Sequence, residues 1–250
     1  LGLVRPSAGR CSLLGADPSR GLATVIGRVG SIVETPALYP RFSGRRNLLL
    51  LAKLEGIGPR TLDEILARVG LAERADDLVR TYSMGMRQRL GIGAALLKDP
   101  EVLLLDEPAN GLDPAGIKEV RDLIRSLGAE GRTVFVSSHQ LAEVQQIADR
   151  VAILSKGRSV ASGPVQDVLA RGRPLGMLVR VDDLQAGLDA LTKAKIEATL
   201  DGDALIAAVP PEEAARITQI LARKKLFLSE LRPHEVSLET VFLELTEPPR

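Results

Sequence analysis

With 250 residues, the chain is long enough for one large α/β domain, or a larger and a smaller one, around a sizeable core. Hydrophobic residues make up 45% and charged residues 26%, a balance that excludes disordered, collagen-like and disulfide-scaffold chains. The 33 Lys and Arg against 32 Asp and Glu leave a formal charge of +1, which offers nucleic acid no broad attraction. The longest apolar runs, at 48–52 and 102–105, fall well short of the roughly 18–20 residues that cross a bilayer. One cysteine, Cys11, cannot form an internal disulfide, and no basic stretch followed by an apolar segment opens the chain. A reducing, cytosolic setting is expected. Residue 1 is Leu rather than Met, and the opening residues 1–4 read like the middle of a longer segment.

Taken in chain order, the first stretch is punctuated by Arg5-Pro6-Ser7-Ala8-Gly9 and Ala16-Asp17-Pro18 and reads as strands and turns, with apolar residues 25–33 between later glycines. From about 47 to 97 the pattern turns helical, with Leu62, Ile65, Leu66 and Val69 on one helix face, then Leu71 and Leu78. This reads as a helical insertion, a subdomain of about 40–98. Between 100 and 163 strands alternate with helices: a buried strand at 102–105, a helix at 114–127, a strand at 133–137, a helix at 141–148 and a strand at 150–154 ending at Ser155-Lys156-Gly157. That alternation implies βαβ units and a mostly parallel sheet.

At 166–174 the composition shifts to Arg, Gly and Pro, which predicts a linker between a domain at 1–165 and a second one at 175–250. The second begins with a strand at 178–181 and a helix with Leu184, Leu188 and Leu191 on one face. Strands at 196–200 and 204–209 then flank the turn Asp201-Gly202-Asp203. A helix at 212–223, a strand at 226–231 and a last helix from near Ser237, with Leu238, Val241, Phe242 and Leu245 on one face, complete it. The order βαββαβ predicts a small ferredoxin-like α/β domain.

The strongest chemical signal is Val102-Leu103-Leu104-Leu105-Asp106-Glu107-Pro108, an apolar strand that delivers two acids at its carboxyl end, where parallel sheets bind ligands. An Asp there suits Mg²⁺ held through water and an adjacent Glu suits an attacking water, the division of labour that phosphoryl transfer requires. Alone, the heptad is equally a buried strand running into an acidic turn. Asn110-Gly111-Leu112-Asp113-Pro114 follows, presenting Asp113 before Pro114 starts a helix. Upstream, in Tyr82-Ser83-Met84-Gly85-Met86-Arg87-Gln88-Arg89-Leu90, Ser83 is placed to cap a helix whose N-terminal amides suit a phosphate, although an ordinary capped helix has the same pattern. Downstream, Val134-Phe135-Val136-Ser137-Ser138-His139 sets a histidine just past a strand end. The other histidine, His234, stands beside Pro233 without such neighbours and reads as structural.

In this order and spacing the four motifs resemble the ATP-binding cassette, the nucleotide-binding subunit of ABC transporters. The resemblance implies an α/β fold with a RecA-like P-loop NTPase core. It makes Asp106 the Mg²⁺-organising Walker B acid, Glu107 the catalytic base or water-orienting residue, Asp113 the D-loop acid and His139 the switch histidine. Ser83 and Gly85 match the signature that contacts the γ-phosphate on the opposite subunit. The segment Ser237-Leu238-Glu239-Thr240-Val241-Phe242-Leu243 is similar to the tail of ABC-2-type drug and antibiotic exporters. ATP and Mg²⁺ follow as cofactors. The implied partners are a second ATP-binding subunit and integral membrane permease subunits faced by the helical insertion, with no nucleic acid, and the implied location is the cytoplasmic face of the membrane.

Three features depart from the family pattern. Tyr82, Met84 and Met86 replace residues of the usual Leu-Ser-Gly-Gly-Gln signature, as in the bacitracin-exporter-like group. Glu34, in Ile32-Val33-Glu34-Thr35-Pro36, stands where the Q-loop glutamine is expected and is a further candidate for approaching Mg²⁺ or water and for coupling to the permease; a solvated turn glutamate is the plainer reading. No Gly-x-x-x-x-Gly-Lys-[Ser/Thr] loop occurs, and Gly56-Ile57-Gly58-Pro59-Arg60-Thr61 does not replace it.

Because Leu1-Gly2-Leu3-Val4-Arg5-Pro6-Ser7-Ala8-Gly9 resembles the segment after the Walker A helix, the expectation is that about 40 residues precede it, a hairpin, a strand and a loop with its helix. On this reading the missing strand neighbours the strand at 102–105, the chain alone is inactive and poorly soluble, and an unpaired apolar sheet region lies there. Two alternatives stay open. One is a catalytically inactive ABC-like interaction subunit. The other is a soluble ABC protein outside transport, for which tandem cassettes, long insertions and a basic surface are absent. Neither the exported substrate nor the role of the tail is legible.

Overall fold

Strand β2 (Val102–Asp106) is the centre of a parallel three-stranded sheet, flanked by β1 (Val29–Ile32) and β3 (Thr133–Ser137). Leu103 and Leu105 are fully buried in it, as the near-continuous apolar run of a central parallel strand requires. The computed structural model describes residues 2, 4–33, 35–170, 176–234 and 236–246. By its internal packing the chain divides into two compact units, Leu1–Glu143 and Val144–Arg250.

In the first unit a single helical turn, α1 (Leu22–Val25), precedes β1, where the sequence reads as strands and turns. The segment between β1 and β2 folds into α2 (Gly44–Leu54), α3 (Pro59–Arg68) and α4 (Met84–Ala95). The expected face of α3 is the buried one: Leu62, Ile65, Leu66 and the following Val69 are all in the core. Each such side chain taken from water contributes about 1.5–3 kcal/mol. Helix α5 (Pro114–Ala129) follows β2, with Val120, Leu123, Ile124 and Leu127 buried at helical spacing. After β3 comes α6 (Leu141–Ile147), within which the division between the units falls.

One sheet expectation is overturned. The strand that ends in Asp106 is paired on both sides, because the chain between β1 and β2 returns the second strand beside the first. Among the described residues β1 and β3 are the two edges of this sheet, and Phe135 of β3 is 65% exposed.

The second unit begins with β4 (Arg150–Ser155), which pairs antiparallel with β5 (Arg158–Pro164) rather than extending the parallel sheet. Two residues, Lys156 and Gly157, join them with φ of +49° and +76°. Positive φ at both central residues is the type I′ geometry whose twist matches an antiparallel hairpin. Helix α7 (Val165–Leu169) occupies most of the first half of the expected linker, and residues 171–175 of it lie outside the described residues.

Four strands, β6 (Gly176–Val181), β7 (Ala198–Asp201), β8 (Ala204–Ala207) and β9 (Leu228–His234), then form an antiparallel sheet in the order β7-β8-β6-β9. Helices α8 (Leu184–Lys193) and α9 (Ala214–Arg223) supply Leu191, Ile217 and Leu221 to a core shared with Val179, Leu205 and Ala207 of the strands. With its βαββαβ element order, this is the ferredoxin-like arrangement expected. The last helix, α10 (Leu238–Thr246), buries Leu238 and Val241, but Leu245 is 37% exposed.

Candidate functional site

The parallel register of β2 and β3 sets Asp106 directly beside Ser137, each the last residue of its strand. The Ser137 hydroxyl donates to Asp106 Oδ1. The next residue, Glu107, leaves the strand with φ +46°, the left-handed region that a non-glycine side chain adopts at a cost of about 1–3 kcal/mol. Its backbone N–H is shared between the carbonyl of Ser137, at 3.2 Å, and the Ser137 hydroxyl, at 3.1 Å. The turn continues with the Asn110 N–H donating to the Glu107 carbonyl at 3.1 Å.

His139, two residues beyond β3, meets Glu107 side chain to side chain. Its Nδ1 lies 2.9 Å from Glu107 Oε2. A carboxylate only accepts, so this contact places a proton on Nδ1. The Glu107 side chain is 27% exposed and that of His139 64% exposed, so the pair opens onto solvent. Two acids and a histidine therefore converge at the carboxyl ends of adjacent parallel strands, where an open α/β sheet presents ligands.

A second group forms at the start of α4. Ser83 caps it, accepting from the Met86 N–H at 3.2 Å, and is exposed. Asp113 caps α5 in the same way, accepting from the Gly116 N–H at 3.1 Å, with Pro114 in the first helical position. The two caps share one packing surface: a Cβ at Gly85 would lie 3.4 Å from the Gly116 Cα. Gly111, at φ +71°, lies under Met84, whose Cε would be 3.0 Å from a Cβ there. Tyr82, the first signature position, is buried, and its hydroxyl donates to the Arg74 carbonyl at 2.5 Å. Burial, and next the charge of Asp77, hold that phenol above its ordinary value. Among the described residues no hydrogen bond joins Ser83, Gly85 or Asp113 to Asp106, Glu107 or His139.

Glu34 lies outside the described residues. No group of three or more His, Cys, Asp or Glu among the described residues is arranged to hold a metal ion by itself. Mg²⁺ is a hard cation that binds through one or two carboxylates and keeps water and phosphate ligands. The oxygens of Asp106 and Glu107 fit that requirement, and Asp106 Oδ2 has no hydrogen-bond partner among the described residues. Sequence reasoning missed Ser137. Its signal is a hydroxyl residue ending an apolar strand, which acquires meaning only once β3 is known to lie beside Asp106.

The fold and these groups agree with comparisons to known proteins. The ABC transporter family profile matches residues 1–110. The chain is 38% identical over 248 residues to the uncharacterized ABC transporter ATP-binding protein YhcH of Bacillus subtilis, covering 98% of this chain and 80% of that one. It is 45% identical over 175 residues to the bacitracin transport ATP-binding protein BcrA of Bacillus licheniformis, covering 69% of this chain and 57% of that one. A fluoroquinolones export ATP-binding protein of Mycobacterium tuberculosis is 33% identical over 255 residues, covering 98% of this chain and 77% of its own. Among solved structures, cbiO1 of Clostridium perfringens, part of the ABC transporter complex cbiONQ, superposes with a TM-score of 0.61 at 28% identity over 68% of this chain and 71% of that one. ATP-binding subunits of this kind are ATPases that work with membrane permeases, and no helix among the described residues is long and apolar enough to cross a membrane. With its α/β core and 38% identity sustained over 98% of its length, the chain belongs to the ABC transporter ATP-binding proteins.

Proposed function

We propose that this chain is the ATP-hydrolysing subunit of an exporter, in which two such subunits close on nucleotide and move separate permease subunits from the cytoplasmic face of the membrane. The observation that carries the reading is the 2.9 Å contact of Glu107 with His139 beside Asp106, at the carboxyl end of the central strand. The names of the bacitracin transport and fluoroquinolones export relatives support outward transport.

In this reading Asp106, one oxygen held by Ser137, keeps the other for Mg²⁺ through a water ligand. Glu107 orients the attacking water and takes its proton. His139 holds the Glu107 carboxylate through Nδ1 and directs Nε2 toward the nucleotide. Bound ATP with Mg²⁺ supplies the phosphoryl group and neutralises the charge developing on its oxygens. Ser83, Gly85 and the free N–H groups at the start of α4 serve the nucleotide of the partner subunit, which is why they stand apart from Glu107. Asp113 lies on the closing surface beside them. Glu34 links the site to the permease and is a further oxygen donor for Mg²⁺.

The test uses the product of the complete open reading frame, because phosphate cradling needs a glycine-rich loop with Lys that these 250 residues do not contain. Glu107→Gln is expected to lower ATP turnover by about 10²–10⁴-fold, the usual worth of a positioned base, and to preserve ATP-dependent dimerisation measured by size-exclusion chromatography. Unaltered turnover would sink the role of Glu107. Absence of ATP binding in the wild-type product would sink the whole reading in favour of an inactive interaction subunit.

A further inference from the structure

Among the described residues, the hydroxyl of Ser137 is the one side-chain group hydrogen-bonded to both Asp106 and Glu107. It donates its proton to Asp106 Oδ1 and accepts the Glu107 N–H at 3.1 Å, so its donor and one of its acceptor sites are both in use. The serine beside it is engaged elsewhere, since the Ser138 hydroxyl accepts from the Gln140 N–H at 3.0 Å. The two serines are therefore not interchangeable.

We propose that Ser137 is a positioning residue: it fixes which Asp106 oxygen is left for the cation, and it holds the Glu107 backbone in the left-handed turn that aims its carboxylate at His139. The inference rests on the reading of Asp106 and Glu107 as the working acids, but its geometry does not. Three observations carry it. The strand register puts Ser137 opposite Asp106 and one residue before Glu107 in the paired direction. Glu107 has φ +46° without a glycine's freedom, a backbone conformation whose cost its hydrogen bonds must offset. Among the described residues its N–H is anchored to Ser137 alone, through both carbonyl and hydroxyl. The carbonyl contact belongs to the backbone and survives any substitution, whereas the hydroxyl contact and the Asp106 contact vanish together in Ser137→Ala.

The test reads the far end of this chain of contacts. The protein has two histidines, so selective ¹³C labelling gives two ring signals, and His139→Gln identifies which belongs to His139. In the 250-residue chain, Ser137→Ala is expected to displace the His139 ring resonances and leave those of His234 unmoved. Ser137→Thr, which keeps the hydroxyl, holds them at the wild-type position. In a Glu107→Gln background Ser137→Ala adds no further displacement, since the effect runs through the Glu107 carboxylate. The proposal is overturned if His139 is indifferent to Ser137→Ala, if Ala and Thr displace it equally, or if the displacement persists in full with Glu107→Gln. Should Ser137→Ala not fold, Ser137→Cys, whose thiol is a weak donor and acceptor, takes its place with the same expectations.

A second measurement reads the cation side in the product of the complete reading frame. There Ser137→Ala is expected to raise the Mg²⁺ concentration for half-maximal turnover by about 10–100-fold, as loss of a hydrogen bond to a metal-binding carboxylate does, with Thr restoring it. An unchanged Mg²⁺ requirement overturns that half of the proposal. If the wild type itself shows no turnover, the ring resonances still decide the Ser137–Glu107 link, and the failure belongs to the reading of the site as an ATPase.

Discussion

A glutamate at φ +46°, in a site otherwise built of ordinary caps and strand ends, carries a cost in conformational free energy. Strain of that kind is separable from function by substitution. Glu107→Gly relieves the left-handed penalty of about 1–2 kcal/mol and returns about 0.5–1 kcal/mol to the unfolded chain as glycine's extra freedom. The lost contact to His139, whose side chain is 64% exposed, is worth little. The variant is therefore expected to be as stable as the wild type or up to about 1.5 kcal/mol more stable in urea denaturation, while losing whatever Glu107 does chemically. A loss of more than about 1 kcal/mol would mean that the turn is not strained. Ser83 and Asp113 were legible in the sequence because capping is local: the acceptor and the amide it satisfies lie three residues apart. The bond between Ser137 and Asp106 joins residues 31 apart in the chain, and only the strand register creates it.

At the scale of elements, the helices between β1 and β2 are tied to α5 by one side chain in particular. Arg89, on α4, donates at 2.7 and 3.0 Å to the carbonyls of Val69 and Gly70 that close α3, and its Nη2 lies 3.2 Å from Glu119 of α5. Its side chain is only 12% exposed, and its Nε has no partner. Replacing it leaves two carbonyls at a helix end without donors and Glu119 without its cation. Arg89→Met is expected to lower the unfolding free energy by about 2–3 kcal/mol in urea, and Arg89→Lys by less, because a point charge keeps the ion pair but not the fork. Equal losses for Met and Lys would show that packing of the stem, and not the bridge, carries the effect. The helices themselves were legible from period alone, as the buried face Leu62, Ile65, Leu66 and Val69 shows. The pairing of β4 was not read correctly, although its signal stood in the sequence. Lys156-Gly157 leaves two residues between strands, which permits only an antiparallel return, whereas a parallel crossover needs a dozen or more.

For the whole molecule, the question is which parts carry their own core. The four-stranded sheet and its two helices do: every buried member of that cluster lies between Met177 and Leu221, and the partly buried side chains packed on it extend only to Leu231. A fragment of residues 176–234 thus contains the core entire, but at about 60 residues it buries only about 60% of its unfolded surface and stands near the lower limit for independent folding. A fragment of residues 144–250 adds the β4–β5 hairpin, α7 and α10, with the Leu238 N–H held by Gln145 Oε1 at 2.8 Å. Both are expected to unfold cooperatively in urea followed by circular dichroism, the longer at the higher midpoint. Leu205→Ala removes a fully buried side chain from the centre of the shared core, at a cost of about 2–5 kcal/mol. That is enough to unfold the shorter fragment, while the longer one keeps a transition at reduced midpoint. If the shorter fragment melts without cooperativity and the longer one does not, the stabilising contacts lie outside the sheet core, and the tail helix with the hairpin must be counted as part of the same folding unit.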